Sequence, residues 1–446
     1  MTLPPDWEMV RFRDLGTWRG GATPSKSRPE FWVDGDVPWL SPKDMGPDVL
    51  RTTRDFITSA GVDGSPVHLV PSGSIAVVVR SGILERTIPV ALVPFETTLN
   101  QDMKAVTPRR SISAKWIAWG LRSMERHLLD HVRKAGTTVA SIETPRFLSQ
   151  YLPVPPLGEQ LRIVEILEDH LSRLDAGASG LEHVARRIDI LEAQTIRAAL
   201  TGQAGAGPHD VQIRTAGVDD GELATLPRGW RWMRLGEFAD VVGGVTKDSN
   251  KQSDPSFIEV PYLRVANVQR GRLDLRTITN IRVTPRKAEA LRLLPGDVLL
   301  NEGGDRDKLG RGWVWEDQIQ NCIHQNHVFR ARIRDGRIDP YLLSWAANSI
   351  GGRWCEHNGK QSVNLASISL SKIRLMPIPI PPLNEQAALR QHIESVVDGC
   401  RIMRNEITTS RIRSETLRRS LLDAAFSGRL TDSIPGTENA EEMAGV

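Results

Sequence analysis

The 446-residue chain contains one pattern of segments twice. A proline-rich segment, PVPPLGEQ at Pro153–Gln160, returns 226 residues later as PIPPLNEQ at Pro379–Gln386. Each copy leads into a segment that ends in glycine, at Gly202 and Gly428, with the same offset. LPPDW at Leu3–Trp7 likewise returns as LPRGW, at Leu226–Trp230. A repeat of this length predicts two copies of one structural unit in tandem.

Between the proline-rich segment and the glycine, both copies keep a three-four spacing that predicts a long coiled-coil helix. The prolines bar helix before each copy, and Gly202 and Gly428 suit helix ends. We expect a kink at Asp175–Ser179, and the alternative is two unrelated surface helices. The predicted seam of the first helix is Ile163, His170, Gly177, Val184 and Leu191 with Leu167, Leu174, Leu181, Ile188 and Thr195, and that of the second is Leu389, Val396, Met403, Ser410 and Leu417 with Ile393, Cys400, Ile407, Ser414 and Leu421.

The segments before the helices predict two α/β blocks of about 150 residues, each with a small twisted sheet. Ser74–Val79 and Gly296–Leu300 are apolar runs typical of buried strands, and Trp116–Val132 predicts a helix with a counterpart at Pro340–Ser349. The fold class is therefore α/β, with two blocks in tandem and two long helices that form a coiled coil. The predicted boundaries are 1–152, first block; 153–203, first helical repeat; 204–225, linker; 226–378, second block; 379–430, second helical repeat; and 431–446, flexible tail.

Composition narrows the cellular setting more than the function. The net charge of +3 does not by itself indicate nucleic acid. The three cysteines form no CxxC pair, which is typical of a reducing compartment. The N-terminus has no signal-peptide pattern, and no apolar run is long enough to cross a membrane. We expect a cytoplasmic protein.

The loops differ between the blocks although the framework repeats, which suits two binding modules with different targets. SPKDM at Ser41–Met45 becomes RVANV at Arg264–Val268, for example. Loop side chains of these types read base edges in DNA: Arg and Lys suit guanine, Asn and Gln suit adenine, and Thr suits either. The candidate DNA-binding residues are Thr23, Lys26, Lys43, Arg80, Gln101, Lys104 and Thr138 in the first block, and Lys247, Arg264, Asn267, Arg306, Lys308, Gln325, Lys360 and Gln361 in the second.

Patterns for catalysis are weak. HQNH at His324–His327 spaces two histidines by three, but no matching cysteine or carboxylate completes a metal site, so a structural pair is favoured. GVTKDSN at Gly244–Asn250 lacks the P-loop spacing, and Lys308 follows Arg306 where a nuclease would have an acid. We expect no metal or catalytic site in this chain. Two alternatives stay open: a self-sufficient DNA methyltransferase or nuclease with unrecognised motifs, and a coiled-coil adaptor without DNA specificity.

Several motifs resemble the specificity subunits of Type I restriction-modification systems. GGATPSKSRPEFWVDGDVPWLSPKDM (Gly20–Met45), VVVRSG (Val77–Gly82) and LNQDM (Leu99–Met103) resemble landmarks of a target-recognition domain, and the PPLGEQ and PPLNEQ segments resemble the family's helical repeats. The resemblance implies that each block reads one half of a bipartite, asymmetric site in double-stranded DNA. It also implies that the two long helices separate the blocks, pair antiparallel, set the spacing and dock two methyltransferase subunits, with restriction subunits joining them. This chain would then carry no cofactor, and S-adenosylmethionine, ATP and Mg²⁺ would belong to the partners.

Overall fold

The computed structural model describes residues 3–134, 139–202, 213, 215–248, 252–361 and 366–432. The chain divides into two compact units: Met1–Leu181 with Thr408–Val446, and Glu182–Ile407. Each unit therefore contains one block together with a stretch of both long helices. None of the helices in the described part of the chain is long and apolar enough to cross a membrane.

The first block is built on a four-stranded antiparallel sheet. Its strands lie in the order Gly16–Gly20, Met103–Pro108, Ser74–Val78 and Val90–Val93, and Ser74–Val78 is buried along its whole length. A second sheet has the order Asp55–Ile57, Val37–Leu40 and Thr98–Leu99, with the last pair parallel. The other elements are the strand pairs Glu8–Arg11 with Tyr151–Val154 and Arg133–Lys134 with Ser141–Ile142, the α-helices Ser59–Asp63, Ala114–Ser123, Glu125–His131 and Thr144–Leu148, and the 3-10 turns Phe12–Asp14, Pro29–Phe31, Pro42–Asp44 and Gly82–Glu85.

The second block repeats this arrangement. Its four-stranded sheet has the order Ala239–Gly243, Val328–Ile333, Val298–Asn301 and Gly312–Val314, and its second sheet has the order Thr279–Val283, Ile258–Leu263 and Ile323–His324, again with the last pair parallel. The predicted duplicated α/β fold is confirmed, with sheets that are mostly antiparallel. The other elements are the strands Arg231–Arg234, Val268–Gln269, Arg272–Leu273, Gly303–Gly304, Lys360–Gln361, Ala366–Ser367 and Pro377–Ile380, the α-helices Leu235–Phe238, Pro285–Leu291, Pro340–Ala346, Gly352–Asn358 and Leu370–Ile373, the 3-10 turns Val265–Asn267 and Arg306–Lys308, and the π-helical turn Ala347–Gly351.

The predicted block helices are shorter than expected. The helix predicted over Trp116–Val132 breaks at Met124, whose φ of −91° and ψ of 1° lie outside the α region. In the second block, the helix predicted over Pro340–Ser349 is α-helical only to Ala346. A π-helical turn follows it and leads into the α-helix Gly352–Asn358. The apolar pattern continues across both breaks, so it does not reveal them.

The two long helices are Leu157–Thr201 and Leu383–Phe426, and the short helix Arg429–Asp432 follows the second. The first is helical without interruption through Asp175–Ser179, where we expected a kink. In the unit Glu182–Ile407, Arg404 pairs with Asp189 and Glu192, while Ile393 shares a core with Leu200. Residue numbers thus rise along one helix as they fall along the other. The predicted antiparallel pairing is confirmed.

Six of the twenty predicted seam positions are exposed, and at these the seam is shifted by one residue. In the first helix Leu167, Leu174, Leu181, Ile188 and Thr195 are buried or half-buried as predicted. However, His170, Gly177, Val184 and Leu191 are exposed, and the less exposed positions are the next residues, Leu171, Ala178, Ala185 and Glu192. In the second helix Met403 and Leu417 are 41% and 50% exposed, while Arg404 and Arg418 are half-buried. The seam therefore contains alanines and ion pairs, and large apolar side chains lie beside it.

The repeated glutamine of the proline-rich segments joins each block to its helix. Gln160 is fully buried; its Oε1 accepts from the Ser113 backbone N–H at 2.8 Å, and its Nε2 donates to the carbonyls of Ser111 and Pro155. Gln386 makes the equivalent three bonds with the backbone of Asp339, Arg337 and Pro381. Because each amide satisfies three backbone groups, both copies retain glutamine at this position.

The other repeated segment packs at the ends of the long helices. Gly202 and Gly428 have φ of +70° and +79°, the left-handed conformation that closes a helix. A Cβ at either glycine would overlap a proline, Pro227 or Pro4 respectively, within the same unit. The tryptophan of the same segment donates to the glutamate that opens a long helix: Trp7 to Glu159 at 3.2 Å, and Trp230 to Glu385 at 2.8 Å.

The predicted linker 204–225 is described only in part. Its residues 215–225 contain no helix or strand, but they are packed on the second block. The Asp220 carboxylate accepts from Arg234 and from Trp354 Nε1, and the Asn358 side chain bonds the Asp219 backbone. The described part is therefore attached to the second block. The predicted tail lies almost entirely outside the described residues.

Candidate nucleic-acid interface

Four of the predicted residues of the first block line one open cavity of about 570 Å³: Lys26, Lys43, Arg80 and Gln101. They come from four separate parts of the chain. Lys26 lies in the loop after Gly16–Gly20, Lys43 lies in the turn Pro42–Asp44, and Arg80 follows the strand Ser74–Val78. Gln101 lies in the turn between Thr98–Leu99 and Met103–Pro108. The fold thus brings together residues that the sequence separates by up to 75 positions.

Two tryptophans position the loop that carries Thr23 and Lys26. Trp39 Nε1 donates to the Ala22 carbonyl and Trp32 Nε1 to the Ser25 carbonyl, each at 3.1 Å. The two indole rings pack edge to face with centroids 5.1 Å apart. Thr23 in turn hydrogen-bonds to the Gln101 side chain. The loop is therefore held against the turn that carries Gln101.

Acidic residues accompany the basic ones in this cavity. Lys43 Nζ lies 2.5 Å from Asp55 Oδ2, and Arg80 Nε lies 3.9 Å from Asp102 Oδ1. Lys104 is half-buried on the strand Met103–Pro108 and is not among the residues that line the cavity. Thr138, also predicted, lies outside the described residues.

In the second block the predicted residues are more dispersed. Lys247 lines a separate cavity of about 650 Å³ with Arg282 and Lys287. Gln325 is half-buried in the turn that follows Ile323–His324, and Lys360 and Gln361 are exposed on their short strand. That strand pairs with Ala366–Ser367, which also pairs with Gly303–Gly304.

The structure contradicts Asn267 as a DNA-binding residue. Its side chain is 3% exposed, and all of its hydrogen-bonding groups are in use. Oδ1 accepts from the Arg264 backbone N–H at 2.9 Å, and Nδ2 donates to the carbonyls of Asp274 and Thr277. Asn267 therefore stabilises the turn that presents Arg264. Asp44 has the same role in the first block, where it accepts from Ser41 and from the Arg54 backbone.

Two further predicted residues already have partners. The Arg306 guanidinium donates to the Glu356 carbonyl through Nε and Nη2, at 3.3 and 3.2 Å. Lys308 hydrogen-bonds to Asp305, and this bond lowers the pKa of the Asp305 carboxyl. Both remain predictions, but contact with DNA would compete with these bonds.

Sheet register identifies equivalent positions that the sequence alone did not. Met103 pairs with Val78 in the first block as Val328 pairs with Asn301 in the second. Asn100 therefore corresponds to Gln325. Similarly, the pair Arg133–Lys134 with Ser141–Ile142 corresponds to Lys360–Gln361 with Ala366–Ser367. Lys134 is thus an exposed basic residue that the sequence analysis missed, and subtracting the repeat offset from Lys360 would have found it.

The two histidines of the HQNH segment make different contacts. His324 is fully buried and its Nδ1 lies 2.6 Å from the Val328 carbonyl. His327 is exposed and its Nδ1 lies 2.7 Å from Glu302 Oε2. Within the described ranges, no three His, Cys, Asp or Glu side chains are grouped as a metal site.

Comparison with known proteins places this architecture in a family. A family model described as the Type I restriction modification DNA specificity domain matches residues 4–180 and 227–409, which is one copy in each half of the chain. The chain belongs to this family of specificity subunits. The resemblance seen in the sequence is thereby confirmed.

Individual relatives match parts of this specificity subunit. The Escherichia coli EcoR124I/EcoR124II specificity subunit is 42% identical over 181 residues, which are 41% of this chain and 44% of the relative. The EcoKI specificity subunit of Escherichia coli K12 is 22% identical over 76% of this chain and 70% of its own length. Among solved structures, a chain from a type I R-M system has a TM-score of 0.72 at 18% identity, covering 96% of this chain and 100% of that one. The HsdS subunit from Thermoanaerobacter tengcongensis has a TM-score of 0.55 at 18% identity, covering 96% and 98%.

Charge in this specificity subunit is unevenly distributed. Lys and Arg outnumber Asp and Glu in both blocks, whereas acidic residues outnumber basic ones in the first long helix. The net charge of the whole chain is therefore close to zero although both blocks carry an excess of positive charge. In the first block Lys, Arg, Asn and Gln side chains line one cavity together with two aspartates, and such basic and amide groups suit the phosphates and base edges of DNA.

Proposed function

We propose that this chain is the DNA-recognition component of a Type I restriction-modification complex. In this proposal each block reads one half of a bipartite, asymmetric site in double-stranded DNA. One observation carries the proposal: the same scaffold occurs twice with different side chains at equivalent positions around the candidate interface. Arg80 corresponds to Gly303 and Asp102 to His327, because both pairs flank matched strands. Two related modules with different contact residues would read two different sequences.

We assign methylation and cleavage to partner subunits. The first block's cavity offers Lys, Arg, Asn and Gln side chains, which are groups for binding base edges and phosphates. The family membership supports the same division, since its relatives are named specificity subunits. S-adenosylmethionine, ATP and Mg²⁺ would then bind to the methyltransferase and restriction subunits, and this chain would need no cofactor.

We place the docking of methyltransferase subunits, two per chain, on the long helices. The side chains of Val184, Leu191 and Met403 lie beside the seam and are 46%, 53% and 41% exposed. They line a shallow cavity of about 380 Å³ with Ile188 and Ile190. A contiguous exposed apolar surface of this kind marks a protein-protein contact. The restriction subunits would join the complex of this chain with its methyltransferase.

A reconstitution experiment tests the division of labour. The purified chain is incubated with bacterial genomic DNA and radiolabelled S-adenosylmethionine, and separately with Mg²⁺ and ATP. We expect neither methyl transfer nor cleavage above background, and methyl transfer only after the methyltransferase subunit is added. Methyl transfer by the chain alone would favour a self-sufficient enzyme. Equally weak binding to every duplex, even with the methyltransferase present, would favour a coiled-coil adaptor.

A further inference from the structure

Arg80 has a fixed backbone position at the edge of the first block's cavity. Its N–H donates to the Asp102 carbonyl at 3.3 Å, and the next N–H, of Ser81, donates to the Ala140 carbonyl at 3.0 Å. Arg80 also forms a bridge with Ser141. Its side chain is 62% exposed, so the guanidinium projects from a rigid base into the solvent-accessible cavity.

Asp102 orients this guanidinium from one side. Its carboxylate is 24% exposed and lies 3.9 Å from Nε of Arg80. Asp102 is itself held in a tight turn, where its N–H donates to Asn100 Oδ1 at 2.6 Å. A guanidinium presents its donors as a planar fork. Nε is the nitrogen of Arg80 in the ion pair with Asp102, and at 3.9 Å it makes no hydrogen bond there, so Nη1 and Nη2 remain available to a ligand.

The chemistry of the pair favours a base edge over a phosphate as its ligand. Guanine presents two acceptors, O6 and N7, in the major groove, and these match the arginine fork. A phosphate would gain less, because the Asp102 carboxylate offsets the positive charge of Arg80 and repels an anion brought close to it. Lys26 carries no such acidic neighbour in the described ion pairs, so it is better suited to phosphate.

We infer that Arg80, oriented by Asp102, reads a guanine in the half-site bound by the first block. This inference rests on the proposed function and adds a base and a residue to it. The second block has no equivalent, because Gly303 takes the place of Arg80, and His327 that of Asp102. In the second block the position next to Gly303 is Glu302, whose carboxylate bonds His327. Arg80 is thus a specificity-determining residue of one half-site, and Asp102 is its positioning residue.

The test uses the full chain in complex with its methyltransferase and a DNA duplex of known site. Mapping of methylated bases in the source genome supplies the bipartite sequence. Each guanine of that sequence is then replaced in turn by 7-deazaguanine, which removes the N7 acceptor and keeps the base pair. Dissociation constants are measured by fluorescence anisotropy for the wild type, Arg80→Ala, Asp102→Asn and the second-block control Arg306→Ala.

We expect a guanine in the half-site of the first block at which 7-deazaguanine weakens wild-type binding by roughly 5- to 100-fold. Arg80→Ala should weaken binding to the unmodified duplex by a similar factor. Replacing that guanine by 7-deazaguanine should then cause no further loss of binding by Arg80→Ala. Asp102→Asn should reduce the 7-deazaguanine effect and should not weaken binding to an unrelated duplex, because it removes a negative charge that repels phosphate. Arg306→Ala should keep the full 7-deazaguanine effect.

Three results would overturn the inference. The first-block half-site could lack guanine, the 7-deazaguanine effect could persist in Arg80→Ala, or Arg80→Ala could weaken binding equally on all duplexes with a salt slope reduced by about one, as for a phosphate contact. These results leave the proposed function intact. The absence of any bipartite methylated site would instead contradict the proposed function itself.

Discussion

At the scale of single residues, the repeated glutamines have a purely structural task that can be measured. Gln160→Met keeps the side-chain size but leaves three backbone groups around Ser111, Ser113 and Pro155 without a partner. Buried groups left unpaired cost about 1–3 kcal/mol each where water does not reach them, so we expect a loss of about 2–4 kcal/mol in the free energy of unfolding. Urea denaturation measures this loss.

Limited proteolysis then locates the loss in one part of the chain. Gln160→Met should expose new cleavage sites within Met1–Leu181, and Gln386→Met within Glu182–Ile407. Arg162→Met, on the exposed side of the same helix turn, is the control and should change neither measurement. Equal sensitivity of both units to either glutamine variant would contradict the assignment of one glutamine to each unit.

The buried His324 gives the second block a dependence on pH that the first block lacks. Burial lowers the pKa of His324 from 6.5 to about 4 in the folded chain. Between these values the unfolded chain binds more protons, so the second block loses stability as pH falls from 6.5 to 4. The loss approaches about 3 kcal/mol at pH 4, since one pKa unit corresponds to about 1.4 kcal/mol. Leu99 occupies the equivalent position in the first block.

Urea denaturation at pH 5 and pH 7.5 checks this prediction. His324→Leu should flatten the pH dependence of the second block's unfolding, whereas His327→Ala, at an exposed position, should leave it unchanged. An unaltered pH dependence in His324→Leu would mean that other groups cause it.

Residue types correctly predicted part of the candidate DNA interface. Whether the other predicted residues are available to DNA depends on the geometry of their turns. Lys26, Lys43, Arg80 and Gln101 were predicted from their chemistry, and the fold brings them to one cavity. Asn267 has the same chemistry, but its amide completes a backbone turn. A sequence pattern does not distinguish an amide that faces solvent from one that caps a turn, because both occur in polar loops.

At the scale of secondary-structure elements, the seam and the exposed apolar surface of the long helices should respond differently to charge. Ile188 is 4% exposed and Leu191, three residues on, is 53% exposed. Ile188→Asp buries an unpaired carboxylate and should cost several kcal/mol of folding free energy, roughly 3–5. Leu191→Asp should leave stability within about 0.5 kcal/mol, because its side chain stays in solvent.

Sizing chromatography with the methyltransferase separates the two effects. Leu191→Asp should fold normally and lose the complex, since it places a charge in the proposed docking surface. The exposed charge variant Arg186→Asp, on another face of the same helix, is the control and should retain the complex. Full complex formation by Leu191→Asp would show that the methyltransferase does not dock on this surface.

The seam also explains why heptad analysis succeeded only in part. The period was predicted correctly because Leu167, Leu174, Leu181 and Ile188 mark it with large apolar residues. The other seam positions were predicted one residue too early because sequence analysis favours large apolar residues at a helix contact. It therefore chose Val184, Leu191, Met403 and Leu417 instead of the alanine, glutamate and arginines that follow them. In the structure, Arg404 enters the seam because Asp189 and Glu192 bind its guanidinium, and Arg418 does so beside Asp175. Such pairing depends on the partner helix, which a single helix sequence does not reveal.

At the scale of the whole molecule, we predict that helix length sets the spacer between the two half-sites. Inserting four residues just before Thr201 adds about one turn, or roughly 6 Å, to the first long helix. At about 3.4 Å per base pair, the spacer should grow by one or two base pairs while both half-site sequences stay the same. Methylation mapping in cells with the insertion measures the spacer. Continued methylation with an unchanged spacer would show that the helices do not set it.

The two blocks should read DNA independently of each other, and an exchange of one block tests this independence. Residues Ala22–Arg146 are replaced by the corresponding segment of another member of the family, and methylated bases are mapped in cells that express the chimera with the methyltransferase. We expect a gapped motif in which one half-site changes and the other half-site and the spacer are retained. A motif in which both halves change, or neither does, would contradict it.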